Sequence, residues 1–500
     1  MHSIRIVAGL VFLVGWTGVS TATTSPKNEH PELHAIAGEV QAANLHSTDA
    51  TLVAFGTRNT LSDTKSDTRG IGAARRWVKS RFEAISKDCD SCLQVVTPSQ
   101  VFTGPRMPKA GAEVMDVVAI QRGTTDPNRV IVITAHLDSI NSNWKGGNWL
   151  NVSGDAPGAN DDGAGVAAII EAARVLSKYK FAATLVYSAD SGEEQGLFGG
   201  QIIAQYAADH GWNVEAELNN DMVGNSHGGN GAYDPHTIRI FSEDTKTNET
   251  PEQAIYRRYH GGEVDSPSRN IARYMSTLAQ QYLDDFHVRM VYLTDRWGRS
   301  GDQVPFLEQG FPAVRLSESN ENYDRQHQNV RVENGVHYGD VLSGVDFDYL
   351  AQVTRLNVIG MASMAHAPMP PDHLGIKGAV AYNTTLSWQS SPNAASYYTW
   401  WRETTAPQWS EERDAGSATT VVLKDIILDD YFFGISAVST DGWESPVEFP
   451  GVAGSFARSP QLGTDGKPVD TLYPSHFPAR FSGEPVGLPS WRAASKPSAH

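Results

Sequence analysis

Cysteine is nearly absent from this chain, with two residues in a length of 500. A disulfide-stapled scaffold is therefore excluded, and so is a four-cysteine zinc site. Positive charge is also in deficit: 40 Lys and Arg stand against 57 Asp and Glu, a formal net charge of −17. Such a chain keeps itself soluble and has no electrostatic reason to hold nucleic acid or an anionic membrane. No block of like charges marks an interaction tail. No fixed-period repeat is present, and beyond the N-terminus no apolar run is long enough to span a bilayer.

The N-terminus itself follows different rules. Arg5 precedes an apolar run from Ile6 to Trp16, and Ser20 and Ala22 then supply small residues suited to cleavage. That pattern is a secretory signal peptide over residues 1–22, too short and too broken by glycine to be an anchor. The mature chain is expected to be secreted or periplasmic. In that setting the C-x-x-C pair, Cys89 and Cys92, reads as a small disulfide closing a turn, with redox chemistry the lesser alternative.

Periodicity divides the remainder. Residues from Pro31 to Ser86 read as helical, with Ala73, Trp77, Phe82 and Ile85 near helical spacing. Val130–Thr134 and Thr184–Ser188 are short β-branched runs that suit strands buried on both faces. Further strands are expected at Val114–Ile120, Val214–Leu218, Ile238–Phe241, Val288–Leu293 and Ala313–Leu316, with helices at Gly165–Tyr179 and Leu197–His210. The alternation predicts an α/β domain over residues 23–367, a mostly parallel mixed sheet sandwiched by helices. The proline-rich string APMPPDH then reads as a linker. Short strands after it predict a small all-β sandwich over residues 368–458, followed by an irregular tail, 459–500. Its final strand resembles the end of a fibronectin type III module, with Trp388 as core tryptophan and Tyr431 as the corner tyrosine.

Several polar segments fall where strands of an open α/β sheet end, which is where such sheets bind ligands. ITAHLDS carries His136, with Asp138 spaced to orient its imidazole. PGANDDGAG carries Asp161 and Asp162. One acid there could be a helix cap, but adjacent carboxylates facing one site repel unless a cation neutralises them. SGEEQGLFG places Glu193 and Glu194 at a helix start, where the helix dipole alone would favour acids. A pair can also divide two tasks, one carboxylate binding metal and the other moving a proton. Asp221 in NNDM and His327 in DRQHQ complete the set. Mixed histidine and carboxylate ligands suit zinc, and a two-metal site needs a bridging oxygen ligand.

Taken in order, HLDS, GANDDGAG, SGEEQGLFG, NNDM and a late histidine resemble the co-catalytic zinc peptidases, the family of bacterial leucyl aminopeptidases, aminopeptidase Y and glutamate carboxypeptidase. The resemblance runs over Glu32–His366. It implies two zinc ions bridged by Asp161, one completed by His136 and Glu194, the other by Asp221 and His327. It implies Glu193 as general base, Asp138 behind His136, and a cis peptide between Asp161 and Asp162. The activity implied is release of N-terminal residues from peptides or proteins. A carboxypeptidase or glutaminyl cyclase of the same fold, or a metal-free binding relative, are the alternatives. The family's tyrosine that stabilises the tetrahedral intermediate has no counterpart in TDRWGRSGDQVPF, leaving Trp297, Arg299 or Tyr323 as replacements and Asp302 as a supporting acid.

Overall fold

The computed structural model describes residues 29–141 and 152–457, so the expected signal peptide and the tail lie outside the described residues. An eight-stranded sheet organises the chain. Its strands are β1 (Leu93–Val96), β2 (Val117–Gln121), β3 (Asp126–His136), β4 (Ala183–Asp190), β5 (Asn213–Asn220), β6 (Thr237–Ser242), β7 (His287–Val291) and β8 (Ala313–Glu318). They lie in the order β1-β2-β4-β3-β5-β8-β6-β7. The central run β4-β3-β5-β8 is parallel throughout, and antiparallel pairings occur at β1–β2, β2–β4 and β8–β6.

The apolar run of β3 shows why the sheet is covered on both sides. Ile131, Ile133 and Ala135 enter one core, while Val130 and Val132 alternate into the other. The larger core is built by α1 (Pro31–Gly38), α2 (Ala42–Ala54), α3 (Gly70–Asp88), α4 (Ala164–Leu176) and later helices. Alanine dominates α4, and almost all of it is buried, so the helix lies close on the strands. The opposite face is closed by α5 (Phe198–Asp209) and the short helix Gln303–Glu308. The helix α6 (Pro251–His260) contributes no buried residue, while α7 (Pro267–Tyr282) and the long α8 (Phe347–His366) complete the first face. Cys89 and Cys92 are disulfide-bonded just past the C-terminus of α3, at the entry to β1.

After α8 come two three-stranded antiparallel sheets around a core of Trp388, Tyr397, Phe433 and Ile435. Trp388 takes the core position expected of it, and Tyr431 opens the last strand packed edge-on near Phe433. The string of prolines does not act as a loose tether. The strand Asp372–Lys377 begins directly after it, and the chain through Ala457 is one compact unit. Trp443 of the β module stacks between His30 and His366, with ring centroids 3.6 and 4.5 Å away. Arg402 of the module and Arg273 of α7 are both buried and share the Asp265 carboxylate at 2.7 and 2.9 Å. Lys246, also buried, donates to the carbonyl of Ser455. Trp443 and Phe456 thus belong to the same core as the helices of the α/β part.

Candidate metal centre

Parallel strands deliver their C-terminal ends to one place. His136 is the last residue of β3 and pairs in register with Asp190 at the end of β4. Glu193 and Glu194 follow Asp190 across a tight turn in which Gly192 adopts φ +74°, a conformation that glycine enters without strain. Asp221 follows directly on β5, and His327 lies in the loop after β8, itself at φ +55°. Asp161 comes from the loop that leads into α4, and the Asp161–Asp162 bond is cis.

The structure brings all five expected ligands together, with Glu193 among them. Three groups of side chains have ligand atoms within 4.8 Å of one another: His136 with Asp161 and Asp221, Asp161 with Glu194 and His327, and His136 with Glu193 and Glu194. The two carboxylate oxygens of Asp161 face opposite ways. Oδ1 is 2.9 Å from His136 Nε2, and Oδ2 is 2.9 Å from His327 Nε2. Glu194 Oε1 meets the same His327 nitrogen at 2.9 Å, and Asp221 Oδ1 lies 3.9 Å from His136 Nε2. This corrects the pairing that the resemblance was read to imply. Asp161 lies between the two histidines as expected of it, but Asp221 sits nearer His136 and Glu194 nearer His327.

These contacts are not ordinary hydrogen bonds. Glu194 Oε1 and His327 Nε2 are buried and lack a hydrogen-bond partner despite their short separation. Atoms aimed at a shared third point have this geometry. The electrostatics agree. Burial works against charge on His136 and His327, yet the facing carboxylates hold both imidazoles well above their usual pKa. Burial likewise opposes ionisation of Asp161, but the two histidines pull its carboxyl well below the usual range. Burial pushes Glu193 well above it. Without a cation, the cluster must hold its positive charge as protons, which a metal ion replaces on binding. Two histidines and three carboxylates are a donor set that zinc accepts.

Neighbouring groups fix these ligands. His136 Nδ1 lies 3.0 Å from the Asp138 carbonyl and 3.6 Å from its carboxylate, so the backbone makes the closer contact. Asp138 Oδ1 instead accepts from the Glu193 amide at 3.2 Å, tying the two ligand loops. Asp340 accepts from the backbone amides of Asn160 and Asp161. Arg315, fully buried, forms an ion pair with Asp221 Oδ2 at 2.8 Å. Gln326 donates to Asp161 Oδ2 at 3.2 Å. Arg58, also fully buried, donates to the carbonyls of Leu137, Pro157 and Gly158. Sequence reasoning missed Arg58, Arg315, Gln326 and Asp340, because no short-range spacing links them to the ligands they hold. Of the residues considered for the missing tyrosine, Trp297 is 91% and Tyr323 65% exposed, and Arg299 is bound to Glu321 at 3.0 Å. Asp302 accepts from the Gly200 amide at 3.2 Å.

Comparison with known proteins decides the lineage. Residues 116–335 match Peptidase family M28. A probable zinc metalloprotease of Pyrenophora teres f. teres is 39% identical over 430 residues, covering 85% of this chain and 88% of its own. The chain belongs to peptidase family M28. A second probable zinc metalloprotease, from Leptosphaeria maculans, is 38% identical over 87% of this M28 chain and 99% of its own. Among solved structures, the LapA aminopeptidase of Legionella pneumophila matches 68% of the M28 chain and 75% of its own at 21% identity and a TM-score of 0.47. This M28 protein is a zinc metalloprotease, and the cluster around Asp161 is its candidate metal centre.

Proposed function

We propose that this metalloprotease is an aminopeptidase that uses two zinc ions sharing Asp161. The observation that carries the reading is the division of Asp161, with one oxygen toward His136 and the other toward His327. His136 and Asp221 would hold one ion, and Glu194 and His327 the other. When bound, zinc supplies Lewis acidity and makes a water acidic enough to lose its proton near neutrality. Glu193, beside His136 and Glu194, takes that proton and returns it to the leaving amine. Asp138 and Arg315 keep His136 and Asp221 in place while this happens.

Release of N-terminal residues is the activity that the ordered motifs HLDS, GANDDGAG, SGEEQGLFG and NNDM imply. Export through the N-terminal segment is part of the same reading, and a bonded Cys89–Cys92 pair accords with an oxidising destination. The test uses the zinc-loaded protein and one peptide in free and N-acetylated forms, with products followed by mass. Loss of single N-terminal residues from the free peptide alone is expected. Equal cleavage of both forms sinks the aminopeptidase reading, and loss of ammonia from an N-terminal glutamine without hydrolysis replaces it with cyclisation.

A further inference from the structure

Several arginines crowd one side of the metal centre, and most are engaged within the protein. Arg315 binds Asp221 at 2.8 Å and Asp295 at 3.3 Å. Arg239 donates to the Glu318 carbonyl and to Glu321, and Arg299 to Glu321. Arg296 differs. It lies in the segment between β7 and the helix Gln303–Glu308, and its side chain is 8% exposed. Its Nε donates to Asp295 Oδ1 at 3.1 Å. Its Nη1 donates to the thioether of Met222 at 3.5 Å, a weak acceptor, and stands 3.6 Å from Glu321. Its Nη2 donates to no acceptor among the described residues and lies 3.9 Å from Asp221 Oδ2.

Of the three guanidinium nitrogens only Nε has an oxygen acceptor, so Nη2, which makes no hydrogen bond among the described residues, is a donor open to an incoming acceptor beside the ligands. The surroundings select its kind. Asp295, Asp221 and Glu321 already face the guanidinium, and a permanent anion placed there would meet all three. A neutral carbonyl oxygen meets no such repulsion on arrival. It gains negative charge only as water adds to its carbon, and the hydrogen bond strengthens at that moment. Interactions that grow on the way to the transition state are the ones that accelerate a reaction.

We propose that Arg296 is a catalytic residue of this peptidase, with Nη2 donating to the oxygen of the scissile carbonyl. Water adds to the carbonyl carbon, the π pair moves onto that oxygen opposite Arg296, and the water's proton passes to Glu193. The pair then returns, the C–N bond breaks, and the amine leaves with the proton from Glu193. The inference rests on peptidase activity and not on which chain end is attacked.

The test uses full-length zinc-loaded protein and whichever peptide the wild type cleaves, so failure of the aminopeptidase reading appears in the wild type and leaves this comparison intact. Arg296→Met keeps the apolar stem, and Arg296→Ala opens room for a small guanidinium ion. Zinc per chain and melting temperature are expected to stay at wild-type levels. The kcat should fall roughly 10²–10³-fold, as for loss of an oxyanion donor. The KM should move by less than about threefold, since the interaction belongs to the transition state. Affinity for a tetrahedral phosphonate peptide analogue should weaken by the same factor as kcat, while product binding holds. Millimolar guanidinium should restore part of the Arg296→Ala rate. Unchanged kcat and unchanged analogue affinity overturn the proposal. So does loss of zinc in step with rate, which would make Arg296 a support for Asp221. A rise in KM confined to substrates with a free C-terminal carboxylate would overturn it in favour of carboxylate binding.

Discussion

Arg58 is the side chain whose removal should show most sharply how the metal loops are held. Its guanidinium is fully buried and donates to three carbonyls: Leu137 at 2.8 Å, Pro157 at 2.5 Å and Gly158 at 2.8 Å. Leu137 separates His136 from Asp138, and Gly158 leads to Asp161, so one residue ties both ligand loops. Beside it lies Asp49, fully buried, with neither carboxylate oxygen hydrogen-bonded. Arg58→Met keeps the stem volume and removes the donors. Each carbonyl left unpaired costs ~1–3 kcal/mol, which bounds the loss at ~3–9 kcal/mol. Relaxation and entering water reduce this toward ~3–5 kcal/mol. We expect a loss in that lower range, a large part of the ~5–15 kcal/mol that holds a domain folded. Urea unfolding of zinc-loaded protein measures it. Arg58→Met/Asp49→Leu also removes the stranded acid, so its loss should be smaller than the sum of the single variants by ~1–3 kcal/mol. A loss under ~1 kcal/mol for Arg58→Met, or strict additivity with Asp49→Leu, would refute the reasoning.

Two further outcomes follow from the site and its surroundings. Glu193→Gln should retain zinc and lose turnover by roughly 10²–10⁴-fold, the worth of a positioned general base. Glu194→Gln should instead weaken the metal shared with His327 and recover partly in excess zinc; metal analysis showing the reverse pattern would exchange the two roles. Trp443→Ala should cost ~3–5 kcal/mol in urea unfolding, because the ring fills a buried site between two histidines. A chain cut at Pro368 should then fail to elute as a folded monomer, and a stable monomeric product would show that the module is dispensable.

The central strands were readable because they are apolar on both faces and short, which few other structures permit. His136, Glu194 and Asp221 were readable because each ends or closely follows such a strand, whereas Asp161 and His327 were read from the order of the motifs. How Asp161 divides the other four ligands was not readable: it depends on which way two oxygens of one carboxylate point, and loop sequences do not encode that locally. Arg296 and Arg315 were hidden for a similar reason, since their partners lie on other loops and strands. Glu411–Gly416 was missed as a strand because it is a charged edge strand without apolar alternation, held by pairing with Ser396–Glu403. The proline string looked like a linker because local composition says nothing about Trp443, which packs against the far end of the chain.

The place of Trp443 sets a schedule for synthesis. His30 is made first, and its ring partner arrives roughly 400 residues later, on the order of 20–80 s at ~5–20 residues per second. Until then the shared core lacks Trp443 and Phe456, and the nascent chain has no finished fold. The last expected ligand, His327, is made before Trp443, so every ligand of the site is already on the chain while the core with which the site shares a domain is still incomplete.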